Sequence, residues 1–468
     1  MKKIILLCLS TSFFLVTNAQ EKTIKISLQE AITFALENSY NAKAAKNNIK
    51  SAEEVVWEKT AIGLPQINAK VDYQNFLKQP VSLLPAAAFD NRESVVQTVE
   101  DFFNINREGS PNAPDGFVPV VFGTKQNVNA SVTLTQLLFD GSYLVGLQAS
   151  KTFLKISKQA NEKTALLTRE AVINAYGNVL VTENSISILK SNIKILQKNY
   201  EDAKKIFENG FNEEEDVEQL EITLGNLKSQ LNSVKRMKGI GYQMLNLSLG
   251  SPINTTLILT DSLDGLVENN INLKLIGSEF NFTNHIDFKI SENDRETKRL
   301  MMKLEQSKAL PSLSAFVNYG NQAFSDSFSF FNTDQRWFGS SLLGVSLNIP
   351  IFSSFSRKSR TAQAKIALEN SDIRLEETKQ RLSLLAKKAK SDYQLSIENY
   401  KTAKKNVGLA ERIENKQRIK FFEGISSSFD LLQAQNQLYN QQQNYIQSML
   451  DVIARKATLE NALNIPIK

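Results

Sequence analysis

The placement of ten prolines is the strongest constraint on how this 468-residue chain can fold. None falls between residues 120 and 251, or between 351 and 465. Proline inside a helix removes a backbone hydrogen bond and clashes with the preceding turn, so long helices are permitted in these two stretches. Heptads fill both. Ala165, Val172, Val179, Ile186, Ile193, Tyr200 and Phe207 stand seven apart, with Leu189, Leu196 and Ala203 as the companion seam. The register restarts after Gly210 with Val217, Leu224 and Leu231. Ala386, Tyr393, Tyr400 and Val407 repeat the pattern in the second stretch, and Leu431, Leu438, Tyr445, Val452 and Leu459 follow Gly424. Sustained spacing of seven marks coiled-coil packing with left-handed winding. Each stretch therefore reads as a helical hairpin turning at Gly210 or Gly424. The first arms, about 142–208 and 355–422, would be ~100 Å long at 1.5 Å per residue.

The proline-bearing regions alternate instead. Ile67, Ala69, Val71 and Tyr73 oppose Gln66, Asn68, Lys70 and Asp72. Residues 127–135, 312–319 and 342–351 show the same period of two, which predicts strands with one apolar face. The polar faces are mostly Asn, Ser and Thr. Lys2 and Lys3, an apolar Ile4–Val16 and Ala19 before Gln20 read as a secretory leader. No later apolar run reaches the length of a membrane-spanning helix. An exported chain of this kind can enter a membrane only as a closed barrel, with lipid outside and water inside.

The chain also repeats itself. Val132–Phe139 aligns with Val345–Phe352 at an offset of 213, and Phe207-x-x-Gly210 with Asp216 aligns with Phe421-x-x-Gly424 with Asp430 at 214. The expected organisation is a leader over 1–19, a first repeat over 20–248 and a second over 286–468, joined by a linker over 249–285. The strand hairpins span about 64–139 and 311–352. Residues 77–124 and 320–340 read as surface loops, and Leu257–Thr260 as a short strand beside the chain termini.

Composition excludes several classes. Lys plus Arg number 55 and Asp plus Glu 49, a net charge of +6 with both signs interspersed, so nucleic acid is not an expected partner. The one histidine, His285, and the one cysteine, Cys8, rule out a His/Cys zinc site within one chain and a disulfide framework. His285 reads as an ordinary surface or capping residue. No phosphate-binding loop or nucleophile-elbow motif is present, so the chain reads as a non-enzyme without cofactor or metal. Glu213, Glu214 and Glu215 read as a solvated helix start, where the helix dipole favours acids.

With these features in order, the sequence resembles the TolC family of outer-membrane efflux proteins over nearly the whole mature chain. The resemblance rests on an opening helix Ile26–Ile32, Leu-Pro strand starts at Leu64-Pro65 and Leu310-Pro311, the Leu347–Phe352 strand end and the two tips. It implies a mainly α fold with a transmembrane β-barrel: a homotrimer whose twelve strands, four per chain, close in the outer membrane and whose helices form a tube across the periplasm. It implies an efflux exit duct working with a periplasmic adaptor and an inner-membrane transporter of the RND, ABC or MFS type. It also implies an acidic periplasmic aperture on the returning helices, carried onto Asp216 and Asp430, with Gln433 where some members hold a second acid. Gly210, Phe211, Gly424 and Ile425 become adaptor-contacting tips. Type I protein secretion is the alternative cargo route. An exported coiled-coil stalk or adhesin is the rival that would explain the heptads alone.

Overall fold

The computed structural model describes residues 24–106, 108–109, 114–210 and 213–465. The expected leader and Phe211 lie outside them. In chain order the elements are β1 (Ile24–Ile26), α1 (Leu28–Asn38), α2 (Tyr40–Ala61), β2 (Gln66–Asn75), β3 (Val81–Pro85), α3 (Arg92–Phe103), β4 (Phe117–Val121) and β5 (Gln126–Asp140). Then follow α4 (Gly141–Glu208), α5 (Glu214–Leu249), β6 (Leu257–Leu259), α6 (Leu263–Asn270), α7 (Ile286–Ser307), β7 (Ser312–Ser325), β8 (Trp337–Asn348), α8 (Ser356–Phe422) and α9 (Ser428–Ala462). The chain divides into two compact units. One comprises the residues up to Val56, Gln148–Met302 and Thr361 onward; the other comprises Trp57–Leu147 and Lys303–Arg360.

In the helical unit, the heptad residues are core. One apolar cluster gathers Val172, Tyr176 and Val179 of α4, Leu245 and Leu249 of α5, Tyr393 and Ile397 of α8, and Val452 and Ile453 of α9. A second gathers Leu189, Leu196 and Ala203 with Val217, Leu220, Leu224, Phe421 and Leu431. The opening helix starts two residues later than expected. Ser27 caps it, its hydroxyl accepting from the Glu30 N–H while the Glu30 carboxylate accepts from the Ser27 N–H at 2.8 Å. Ile26 belongs instead to β1, which pairs in parallel with β6. The linker's short strand is thus the partner of the chain's first described residues.

Two buried tyrosines tie this region to the long helices. Tyr176 donates to the Asp261 carboxylate at 2.8 Å, and burial together with that acceptor raises its pKa. Tyr393 donates to the Asn270 carbonyl at 2.6 Å and accepts from the Asn272 N–H at 2.8 Å. Both side chains are 0% exposed. Tyr393→Phe removes both of these part-buried hydrogen bonds, so a loss of about 1–3 kcal/mol is expected, read as an earlier thermal loss of helical circular dichroism.

His285 corrects the surface reading. It is buried, it follows a 3₁₀ turn as its cap, and its Nδ1 accepts from the Asp287 N–H at 3.1 Å. Burial lowers its pKa against the opposing pull of Asp287.

In the other unit, β2, β5, β7 and β8 form a four-stranded antiparallel sheet in that order. The register lines up the alternating residues in rows. Ile67, Leu134, Val317 and Leu343 are cross-strand neighbours on one face. Asn68, Thr133, Asn318 and Leu342 form a row on the other, where Asn318 donates to the Thr133 hydroxyl at 2.7 Å. A register shift between Leu137 and Phe139 breaks the ladder near the end of β5. β2 and β8 are both free edges. Residues 77–124 are more than a loop: β3 and β4 form their own antiparallel ribbon, with α3 between them.

Candidate functional site

The expected site residues fall at the turns of the two long hairpins, and the local chemistry explains each turn. α8 ends in a Schellman motif. The Gly424 N–H bonds the Phe421 carbonyl at 3.0 Å, and the Ile425 N–H bonds the Lys420 carbonyl at 2.8 Å. Gly424 has φ +73°, the left-handed conformation that this closure requires. Gly210 has φ +80° and bonds the Phe207 carbonyl at 2.7 Å. Lys205 and Lys420 occupy the last turns, where the dipole favours cations. Ile425 is 69% exposed, and Phe429, one turn on, is nearly as open.

The two aspartates, equivalent in sequence, are not equivalent in structure. Asp430 belongs to a capping box. Its carboxylate accepts from the Ser427 hydroxyl at 3.0 Å and the Ser427 N–H at 3.3 Å, and the Ser427 hydroxyl accepts in turn from the Asp430 N–H. Asp216 sits in the first turn of α5 behind Glu214 and Glu215, and Glu213 at the N-cap makes no side-chain cap bond. Asp216 is half-buried, whereas Asp430 and Gln433 are exposed. The starts of α5 and α9 meet where the Ser428 hydroxyl donates to the Gln219 side chain at 3.2 Å. Beside this contact an open groove is lined by Gln219, Ile222, Phe429, Gln433, Asn436 and Gln437. Gln433 therefore faces a groove dominated by amides. Gln219, Phe429 and Asn436 were missed by sequence reasoning, although the Asn- and Gln-rich run after Leu432 was a visible signal.

The amides continue inward. Asn192 donates to Gln442 at 2.9 Å and Ser185 to Gln443 at 3.5 Å, joining α4 to α9. Gln435 is 1% exposed with both amide atoms lacking a protein partner, and the Asn199 Nδ2 is likewise buried without one. Ser185 of α4 and Gln442 and Gln443 of α9 fall between the two apolar clusters, whereas Asn192, Asn199 and Gln435 fall among the residues of the second. Tyr439, on the α9 run, has its pKa raised by burial, with the negative charge of Glu414 adding to the effect.

Among the described residues, no helix is long and apolar enough to cross a membrane, and no group of three or more His, Cys, Asp or Glu side chains is placed to hold a metal ion. The four-stranded sheet of the other unit leaves one apolar face open. Its apolar face carries the exposed side chains of Ile67, Val71, Val132, Val317, Leu343, Val345 and Leu347. Lys70 and Asp72, on the polar face, pair at 3.0 Å.

Residues 283–464 match the family model of outer membrane efflux proteins. No curated protein sequence matches the chain significantly. The fold is similar to that of the outer membrane protein VceC from Vibrio cholerae, at 15% identity over 93% of this chain and 95% of that one, with a TM-score of 0.67. It is similar to CusC, solved in work on folding and transmembrane channel formation, at 16% identity over 96% and 95%, with a TM-score of 0.70. It is also similar to the open state of the Neisseria gonorrhoeae MtrE outer membrane channel, at 16% identity over 93% and 88%, with a TM-score of 0.67. The resemblance drawn from the sequence is borne out by the matched domain, and the fold class by the likeness to these channels.

Proposed function

We propose that this chain, whose residues 283–464 form an outer membrane efflux protein domain, is the exit duct of a tripartite efflux pump, conducting passively from the periplasm to the outside. The observation that carries the reading is the four-stranded sheet. It has one exposed apolar face, one polar face and two free edges. Free edges are a liability that closure removes, and four strands are too few to close alone. Three copies, β2 of each against β8 of the next, make a twelve-stranded barrel with lipid on the apolar face. The element order of helix, two long strands, long helix and returning helix, found once before residue 250 and again after 286, supports a duplicated unit on either side of the 249–285 linker. The helices α4 and α8, each ~100 Å long by their residue count, supply the periplasmic tube.

The tips, Gly210, Phe211, Gly424 and Ile425, are the surface for a periplasmic adaptor, through which an inner-membrane transporter supplies the energy. Exposed Ile425 and Phe429 support this role, because apolar side chains at a wet turn suit a contact surface. Asp430, Asp216 and Gln433 line the periplasmic aperture, with three copies of each acid favouring cations. In planar bilayers, Asp430→Asn is expected to reduce the preference for cations over anions. Ser427→Ala, which breaks the same cap but keeps the charge, should leave that preference intact. Equal selectivity in the wild type and Asp430→Asn would remove Asp430 from the aperture.

The duct reading itself is tested by cross-linking from Ile425→Cys in intact cells. Ser427 is unsuitable for this because its hydroxyl caps α9. Cys8 belongs to the expected leader, so the new thiol would be unique in the mature chain. Capture of a periplasmic adaptor is the expected result. Folded outer-membrane protein that captures no adaptor would favour a channel or stalk with no docked pump.

A further inference from the structure

The helix α7 begins on a side chain that can hold it only while uncharged. His285 has an extended backbone, and its carbonyl accepts from the Lys289 N–H at 3.1 Å, the first bond of the helix. It is therefore the N-cap. Its Nδ1 accepts from the Asp287 N–H, the bond that a serine, asparagine or aspartate oxygen makes at other helix starts. The other side of the ring lies within hydrogen-bonding reach of the Asn461 carbonyl on α9. A ring that accepts at Nδ1 and donates at Nε2 is the neutral imidazole in one tautomer. Two further bonds close the same joint. The Ile286 N–H bonds the Asn464 side-chain carbonyl at 3.1 Å, and the Asn464 amide donates to the Asn284 carbonyl at 3.2 Å. His285 thus fastens the start of α7, the helix that leads into β7, to the end of α9.

An imidazolium does not fit this joint. Its second proton would sit on Nδ1, facing the Asp287 N–H, donor against donor. It would also place a positive charge at a helix N-terminus, where the dipole disfavours cations. The carboxylates nearby are already engaged. On α7 itself, Asp287 pairs with Lys163 of α4 at 2.7 Å. Around the adjoining cavity, Glu170 of α4 accepts from Thr458 and Asn461 at 2.8 and 2.7 Å, and Asp392 of α8 stands 3.7 Å from Arg455 of α9. The other charges on this side, Arg381 and Lys388 of α8, are cations. From the linker, the Phe280 ring meets the imidazole edge-on at 6.3 Å. His285 is 6% exposed, so water does little to solvate a charge on the ring.

We propose that His285 is an acid-released latch: protonation of its ring frees the start of α7 from the end of α9. Burial first, and then Lys163 and Arg381, hold its pKa below the ordinary value against the pull of Asp287. A released ring titrates at about 6.5. The latch is therefore fully present above that pH and is lost as the pH falls through the lower value of the folded state.

The test exploits the chain's single histidine. The full mature chain, purified through a histidine-free tag and reconstituted in lipid with isotope-labelled histidine, gives one imidazole to follow by solid-state NMR. The expected result is the Nε2–H tautomer at neutral pH and a titration midpoint below that of a histidine peptide. An Nδ1–H ring at neutral pH, or a midpoint at or above the peptide's, would overturn the proposal without recourse to any variant. Hydrogen exchange at the Ile286 and Asp287 amides, corrected for intrinsic rate, is the second readout. Their protection should fall by up to about tenfold per pH unit below about 6.5, as one-proton linkage requires. In His285→Asn, whose side chain caps a helix without titrating, protection should be independent of pH over the same range. Protection that does not change with pH in the natural chain, or that falls equally in His285→Asn, would show that the ring is not the latch.

Discussion

Gly250→Ala is expected to lose about 2–6 kcal/mol of stability and most of the folded protein in cells. Gly250 ends α5 in the left-handed conformation, with φ +76°. A side chain there costs about 1–3 kcal/mol through the backbone alone. Steric conflict adds to this. An alanine Cβ would lie 2.3 Å from the Asn38 carbonyl oxygen and 2.7 Å from the Ser39 Cα. Those are backbone atoms at the junction of α1 and α2, so no rotamer change relieves the clash, and overpacking of this kind costs about 1–3 kcal/mol more. Against a typical total of roughly 5–15 kcal/mol, that is a large fraction. Gly239→Ala is the matched comparison. It sits within α5 with open space around its Cβ position, and there alanine should stabilise by up to about 1 kcal/mol. Thermal unfolding of the two variants separates the cases, and equal behaviour would refute the close approach at Gly250.

The second large effect concerns the sheet. Leu343→Arg should abolish or sharply reduce heat-modifiable protein in the outer membrane, while Ser340→Arg should be tolerated. Leu343 shares the apolar row with Ile67, Leu134 and Val317, and is well exposed in the single chain. On a lipid-facing surface, arginine costs about 2–4 kcal/mol near the bilayer midplane, and three copies per barrel repeat the cost. Ser340 faces the other way, in the row of Lys70, Ser131 and Gly320, where a wet lumen can solvate the charge. The assay is the amount of each variant in outer-membrane fractions, run with and without heating. If both substitutions were tolerated alike, the apolar face would not be in lipid.

The long helices were legible because two independent signals agree along them: the absence of proline permits them, and the heptads give them a face to bury. The strands were legible from alternation alone. The pairing of β1 with β6 was not, since it joins segments more than two hundred residues apart, and local pattern says nothing about partners. Ile26 shows the consequence: its apolar side chain suited a helix start, but Ser27 and Glu30 form the cap, and that places Ile26 outside the helix. The site was legible only in part. The repeat offset marks Asp216 and Asp430 as equivalent, yet Ser427 stands three residues before Asp430, while Glu213 stands three before Asp216. One serine is enough to turn a matching carboxylate into a cap. The insertion at 77–124 read as a loop because its prolines interrupt every pattern. Its ribbon and helix are each too short to show a period against that background.

The amide belt between the two apolar clusters has a mechanical consequence. Helices that share one continuous core melt or move as one body; helices whose core is interrupted form two cooperative segments in series. In this chain the segment near the turns is held by the Leu196–Leu220–Leu431 cluster, and the segment beyond the belt by the two tyrosine anchors and their neighbours. The boundary between them carries Ser185, Gln442 and Gln443, and Gln435 on its turn side keeps both amide atoms without a partner within the chain. Amides can exchange partners at little net cost when the helices slide, whereas interlocked leucines cannot. Two clusters in series give the turn-proximal ends a packing of their own, separable from that of the rest of the helical unit.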